Sequence, residues 1–498
     1  MMYVYVIHTY MSTPKSSPKS AQSRKSKKLP APPKPDSRPQ FVLSTGLSFD
    51  ALQQKFLGLF PKESISLWMA SKVFYSRAFT PLIILWYLAF AHLSGDSSLE
   101  AVVEDALDGG ADRLSSKGKR LSKKLRSDST SSWSQARGSF PLQAVHKALR
   151  ASGQTIRSTV QNRQWHEMDP VVLDGTTCRL RPYGDIAQEF PAHRSGNNSQ
   201  PYWCLARAVV AFCMATGAAL DCLIDPTKRS EQSLVQEMLM RCLWINTLFV
   251  ADRNFGVYSV VRAARAAQGH VLFRLTGARA QKLAKDAGLK LQDGLDQLIE
   301  WKPTRHDQCP QDLAKEPVAG RLIAIRLSRR GFRTFTLYLF TTLVDAQITA
   351  QELAQFYGQR WQVELDLRHV KTQLNLQALE CKSADMARKL WLAGLMAYNL
   401  VRAVMCAGAA LGNKSVFDLS FSRSLKALRK WLPKAGKKGS LKSWTRLLKR
   451  IAKFTLPTRK KPRPAEPRAI RYCKNDFPKL CGDRAQARQN LAISNAKS

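Results

Sequence analysis

The stretch YGQRWQVELDLRHVKTQL, Tyr357 to Leu374, carries two helical patterns at once. Phe356, Val363, Leu367, Val370 and Leu374 recur at helical spacing and form a narrow apolar stripe that must bury. Tyr357, Arg360, Glu364 and Lys371 stand at offsets 0, 3, 7 and 14. At about 100° per residue, one continuous helix would bring those four within roughly 60° of one another, beside the apolar stripe. A tyrosine, two cations and a carboxylate would then share the rim of a core. Taken alone, that rim also reads as a line of salt bridges, with Glu364 paired to Arg360 or Arg368.

Two upstream segments change its meaning. PVVLDGTTCRL (Pro170 to Leu180) and TLFVADRNFG (Thr247 to Gly256) repeat one figure: an apolar strand, an aspartate, then a turn with glycine. Asp174 and Asp252 would each emerge at a strand end. A helix delivering Glu364 beside them makes a cluster of three carboxylates, whose mutual repulsion calls for cations. Hard oxygen ligands suit Mg2+, with Mn2+ able to substitute. Two such ions about 4 Å apart clamp the attacking and leaving oxygens of a phosphodiester. Tyr357, Arg360 and Lys371 would then hold the phosphates of the strand being cut or joined.

The flanking pattern is α/β. CLARAVVAFCMA (204–215) and AALDCLID (218–225) read as strands, and EQSLVQEMLMRCLW (231–244) as a helix. HVLFRLTG (270–277), GRLIAIRLS (320–328) and FRTFTLYLFTTLVD (332–345) are rich in β-formers and suggest a β-rich insertion between Asp252 and Glu364. Residues 41–165 and 384–411 look helical. TPLIILWYLAFAHL (80–93) is shorter than the ~20 residues a bilayer requires and reads as a buried helix. The opening MMYVYVIHTYM lacks the marks of a secretory signal, and Met11 is an alternative start. The Pro-, Ser- and Lys-rich stretch that follows, to about residue 40, has almost nothing to bury and is expected to be disordered.

Seventy-eight Lys and Arg against 37 Asp and Glu leave a net charge of +41, which favours a polyanionic partner. From Arg423 to Lys479 there are twenty Lys or Arg and two acids, with Trp431, Trp444 and Tyr472 interleaved. Cations with aromatic platforms suit nucleic-acid backbones and bases; a solvated tail is the plainer alternative. Ten scattered cysteines without a C-x-x-C pair read as reduced thiols in a cytosol, with no structural zinc. No membrane role is expected.

Tyr, two residues, Arg, three residues, Glu, six residues, Lys is the signature of the DDE transposases of insertion-sequence family four. The chain resembles that family at Tyr357, Arg360, Glu364 and Lys371 without a gap. VVLDGTT and FVADRNFG look like its two aspartate motifs, with Asn254 where the family often has glycine. The end KPRPAEPRAIRYCKNDFPKL (461–480) is similar to the family's basic tail.

The resemblance implies an RNase H-like catalytic core interrupted by a β-rich insertion at about 265–350. It implies two-metal cutting at the terminal inverted repeats of a mobile element, then strand transfer to target DNA by a homodimer. Family members often form a hairpin on the excised end and stack a flipped base on an aromatic of the insertion; Phe335 and Tyr338 are candidates. Arg253 and Trp361, beside motif residues, join the candidate DNA contacts.

The resulting division is a disordered basic tail at 1–40 and a helical, DNA-binding N-terminal region at 41–165. The catalytic domain follows at 166–410, then a basic C-terminal region for DNA binding or dimerisation at 411–498. A catalytically idle DNA-binding derivative, and a nuclease that cuts without joining, are the competing readings. His369 is expected to be structural, as are Asp221, Asp225, Asp345 and Asp366 unless solvated.

Overall fold

Val171, Val172 and Leu173 alternate sides along one strand, and both sides are buried. A strand buried on both faces must be covered on both faces, and this one is. The computed structural model describes residues 78–115, 120–160, 163–191, 203–329, 332–438, 441–457 and 483–496, with isolated positions before 78. The expected tail at 1–40, Tyr472 and the segment 461–480 lie outside the described residues.

One sheet organises the chain. Its strands are β1 (Asp169–Leu180), β2 (Cys204–Cys213), β3 (Ala219–Pro226), β4 (Thr247–Ala251), β5 (His270–Arg274), β6 (Leu295–Trp301), β7 (Val318–Arg329), β8 (Phe332–Thr341) and the short β9 (Ala378–Leu379). The order is β3-β2-β1-β4-β5-β8-β7-β6, with β9 paired to β1. β1, β2 and β3 are antiparallel neighbours, whereas β1, β4 and β5 run parallel. The β-rich stretch after β5 is not a separate layer. β8 pairs antiparallel with β5, so β6, β7 and β8 prolong the same sheet.

Helices cover both faces. The ones used below are α1 (Pro81–Ser94), α2 (Leu99–Leu107), α3 (Ser131–Ser139), α4 (Leu142–Ser158), α5 (Glu231–Met240), α6 (Tyr258–Ala266), α7 (Gly277–Asp286), α8 (Ala350–Gly358), α9 (Trp361–Arg368), α10 (Ala384–Leu411), α11 (Phe421–Lys438), α12 (Leu441–Ala452) and α13 (Arg484–Ala496). One core joins Val172, Val210 and Phe212 of the sheet to α1, α4 and α10. The other joins Val171, Leu173, Val209 and Ala211 to α5 and α6.

α10 is long and apolar enough to cross a membrane by composition, yet 94% of its most apolar window is buried inside the protein. Its neighbours α1, α4 and α12 supply that cover. α1, the apolar run of the sequence, is buried along nearly its whole length, with Pro81 pre-setting its first turn.

Candidate active site

Parallel register builds the site. Leu173 of β1 pairs with Ala251 of β4, and Ala251 pairs with Phe273 of β5. The next residues along the three strands are Asp174, Asp252 and Arg274, which therefore stand side by side. Only β4 ends there: Asp174, expected at a strand end, lies inside β1 and pairs with Val210, because β1 runs on to Leu180 against β2, and Arg274 closes β5 paired with Leu339. Each aspartate is held by a backbone N–H just downstream. Gly175 N–H donates to Asp174 Oδ1 at 2.9 Å, and Asn254 N–H donates to Asp252 Oδ1 at 2.9 Å. Gly256 closes the second turn because a Cβ there would lie 2.3 Å from the Arg274 carbonyl oxygen.

The third carboxylate comes from above. α8 starts at Thr349, whose hydroxyl accepts from Glu352 N–H. The expected single helix from 357 to 374 is interrupted. α8 stops at Gly358, a weak helix former, and the chain tightens: Gln359 N–H bonds Phe356 O and Arg360 N–H bonds Tyr357 O, both at 3.0 Å. α9 then carries Glu364, and residues His369–Gln373 widen into a π-turn. Angles counted along one regular helix therefore do not carry over.

Three of the four signature residues still meet. Arg360 Nη2 lies 3.1 Å from Glu364 Oε1, and its guanidinium lies 5.9 Å from the Tyr357 ring centroid. Lys371, on the π-turn, acts instead on the Cys178 thiol, four residues beyond Asp174 on β1. The apolar stripe buries as expected at Phe356, Leu367, Val370 and Leu374.

Electrostatics tie the groups together. Burial pushes the Asp174 carboxyl up to about 6; Gly175 N–H and Arg360 oppose this, while Asp252 and Glu364 add to it. Burial also pushes the Tyr357 hydroxyl up to about 12, against the pull of Arg360 and Arg274. Burial by itself would lower Arg360, but Tyr357, Asp174, Glu364 and Asp252 outweigh it and hold the guanidinium above its ordinary value. Arg360 is thus the cation on which all three carboxylates act.

The donors are hard oxygens of the kind a divalent ion takes. Among the described residues, however, no three His, Cys, Asp or Glu side chains are drawn together as a ligand group. Asp174 feels the charge of Asp252 and Glu364, but the three do not form the tight cluster expected from the sequence.

Residues 165–400 match the family model described as transposase DDE domain. That span, just under half of the chain, is similar to the DDE domain of transposases. The chain is similar to the transposase InsG of insertion sequence element IS4 from Escherichia coli strain K12, 24% identical over 277 residues. That alignment spans 54% of this chain and 59% of the relative's length. A shorter likeness, 35% over 63 residues, links it to the putative transposase InsL of IS186A from the same strain, covering 13% of this chain and 17% of the relative. A solved piggyBac transposase synaptic complex with hairpin DNA aligns over 85% of this chain and 89% of its own, at 12% identity and a TM-score of 0.39.

The other candidate contacts are scattered. Arg253 is exposed in the turn after Asp252, and Trp361 is half-buried at the start of α9. Tyr338 is partly buried against the core, whereas Phe335 is 47% exposed on the same strand. The Arg274 guanidinium lies 5.8 Å from the Phe335 ring centroid.

Arg274 went unnoticed in the sequence, because only the parallel pairing of β5 with β4 brings it to the site. Glu231 also went unnoticed, as did the role of Asn254. Asn254 Nδ2 donates to Glu231 Oε2 at 2.6 Å, and burial raises the Glu231 carboxyl. His369 stacks on Phe421 at 4.7 Å, and burial lowers its pKa to about 3, as befits a structural residue.

The basic C-terminal helices divide by face. Arg423, Lys426, Lys430, Lys442, Arg446, Lys449 and Arg450 are exposed. Trp444 is 1% exposed and lies 5.4 Å from Trp431, so it is core and not a platform for bases.

Proposed function

We propose that this chain binds the terminal inverted repeats of a mobile DNA element, cuts the DNA there, and joins the freed end to target DNA by cut-and-paste transposition. The observation that carries the reading is the adjacency of Asp174 and Asp252, each one residue past the paired Leu173 and Ala251, with Arg360 ion-paired to Glu364 and acted on by both aspartates. The strand order β3-β2-β1-β4-β5, antiparallel then parallel, supports an RNase H-like core in which β6, β7 and β8 are the β-rich insertion.

Asp174, Asp252 and Glu364 would hold two Mg2+ ions, or Mn2+ in their place. Those ions supply charge stabilisation at the attacking and leaving oxygens. The side chains of the chain do the rest. Arg360 offers a planar fork to a phosphate, and Tyr357 keeps that fork in place from a buried position. Lys371, further along β1, and Arg274, on the other side of Asp252, extend the cationic line along which a backbone would lie. Arg253, Trp361, Tyr338 and Phe335 are further proposed contacts. In the first step water attacks a phosphodiester, leaving a 3′-OH and a 5′-phosphate. In the second, that 3′-OH attacks a target phosphodiester, forming one P–O bond and breaking another.

Residues 41–165 and the basic helices α11 and α12 would grip the DNA, and two copies of the chain would bring two ends together. The test uses a plasmid carrying the DNA that flanks the gene, incubated with the full chain and Mg2+. Broken and rejoined products are expected, and Asp174→Ala, Asp252→Ala or Glu364→Ala should lose both while still binding ends. Binding without breakage would overturn the proposal in favour of an idle derivative. Breakage without joining would reduce the chain to a nuclease.

A further inference from the structure

Glu231 touches the backbone segments that hold both aspartates. A Cβ at Gly175 would lie 2.3 Å from Glu231 Cδ and 2.5 Å from Oε1, so the glycine after Asp174 leaves room for this carboxylate. On its other side, Glu231 Oε2 accepts from Asn254 Nδ2 at 2.6 Å. Gly175 and Asn254 are the two residues whose backbone N–H groups hold Asp174 Oδ1 and Asp252 Oδ1, each at 2.9 Å. Gln232, the next residue on α5, donates to the Asn254 carbonyl at 2.7 Å.

The support behind Glu231 is rigid. Ser230 caps α5 by accepting from Ser233 N–H at 3.0 Å. An acidic residue in a first helical turn is favoured by the aligned peptide dipoles, which offset its burial. Arg207 adds a nearby positive charge and is itself fixed, donating to the Thr227 carbonyl at 3.1 Å. α5 is packed in the core below the sheet through Leu234, Val235 and Met238.

We propose that Glu231 is a positioning residue for the catalytic pair, setting the spacing of Asp174 and Asp252 by bridging Gly175 to Asn254. The proposal rests on the reading of those aspartates as metal-holding residues. A carboxylate that only favoured the first turn of α5 would not need to meet both Gly175 and Asn254. Losing a partner that orients metal-holding groups typically costs 10–100-fold in metal affinity or activity.

The experiment measures three quantities on the full-length protein: Mn2+ affinity by titration calorimetry, end cleavage in Mg2+, and the unfolding midpoint. Glu231→Ala is expected to weaken Mn2+ binding and cleavage by ~10-fold or more with little change in midpoint. Glu231→Gln keeps the shape and an acceptor for Asn254, and should recover most of both. Asn254→Ala should weaken both, and the Glu231→Ala/Asn254→Ala double variant should be little worse than the worse single one, because the two act through one contact.

Wild-type Mn2+ affinity in Glu231→Ala overturns the proposal. So does a Glu231→Gln variant as weak as Glu231→Ala, which would assign the effect to charge and not to position. Asp174→Ala serves as the control. If that variant binds Mn2+ like the wild type, the reading of the aspartates fails first, and the positioning role with it.

Discussion

Asp366 and Arg402 form an ion pair in which both side chains are only 2% exposed. Asp366 lies two residues past Glu364 on α9, and Arg402 belongs to the core helix α10. Arg402 Nε donates to Tyr398 Oη at 2.7 Å, and Tyr398 in turn donates to the Gly217 carbonyl at 2.9 Å. The guanidinium also lies 5.5 Å and 5.7 Å from the Phe417 and Phe421 ring centroids. The helix that presents Glu364 is therefore tied to the centre of the fold, not to a loop.

Burying two charges recovers little net stability, but leaving one of them alone costs about 3–5 kcal/mol. Arg402→Met should therefore destabilise the protein by about that amount, since it strands Asp366 in the core. The Asp366→Leu/Arg402→Met pair should regain a large part of the loss. Denaturant unfolding of the two variants decides it: a double variant as unstable as the single one would show that the pair adds stability of its own.

Arg360 offers the opposite balance. Its ion pair is with Glu364, whose side chain is 38% exposed. A pair of that exposure contributes about 0–1 kcal/mol. Arg360→Ala should thus leave the unfolding midpoint nearly unchanged while end cleavage falls on the order of 10²-fold, the cost of a displaced phosphate. Arg360→Lys should recover little, because an ammonium cannot copy the planar fork. Cleavage that fell only in step with stability would return Arg360 to a rim salt bridge.

Much of this was legible in the sequence, for local reasons. The strands β1 and β4, and the aspartate that follows each apolar run, can be read from local pattern, but the continuation of β1 past Asp174 and Gly175 to Leu180 cannot, because it depends on pairing with β2. The stripe of Phe356, Leu367, Val370 and Leu374 follows from helical period. What was hidden depends on register between distant segments. Arg274 joins the site because β5 pairs in parallel with β4, and no spacing in the sequence states that. Glu231 opens an ordinary capped helix and becomes informative only when Gly175 is found against it. β6 was missed because its burial is irregular along an edge strand, with Leu298 exposed. The break at Gln359 and Arg360 was missed because right-handed backbone angles persist through it.

A pH effect is expected far from the site. Burial raises the Asp105 carboxyl to about 6, with Asp108 adding to the shift and the Tyr87 hydroxyl, donating at 3.1 Å, opposing it. The folded state thus holds this proton more tightly than the unfolded chain does. The stabilisation is complete below an ordinary carboxyl value of about 4 and is lost as pH rises through about 6. Asp105→Asn cannot ionise, so the variant should gain on the wild type between pH 4 and 7. Paired melting curves across that range test it, and a constant difference would exclude Asp105 as the source.

The final prediction separates the two faces of α11 and α12. Trp444 is buried against Trp431, whereas Arg446 and Lys449 on the same helix are exposed. Removing a buried tryptophan side chain costs about 3–5 kcal/mol through lost burial and the cavity left behind. Trp444→Ala should therefore lower the unfolding midpoint sharply, and weaken DNA binding only through that loss. Arg446→Ala and Lys449→Ala should behave in reverse, with the midpoint unmoved and binding to all DNA sequences weaker. Each neutralised phosphate contact contributes about 0.9 to the slope of log affinity against log salt. The double charge variant should flatten that slope by nearly 2 if both residues meet phosphates. An unchanged slope with unchanged affinity would mean that this basic face is merely solvated and that the DNA lies elsewhere.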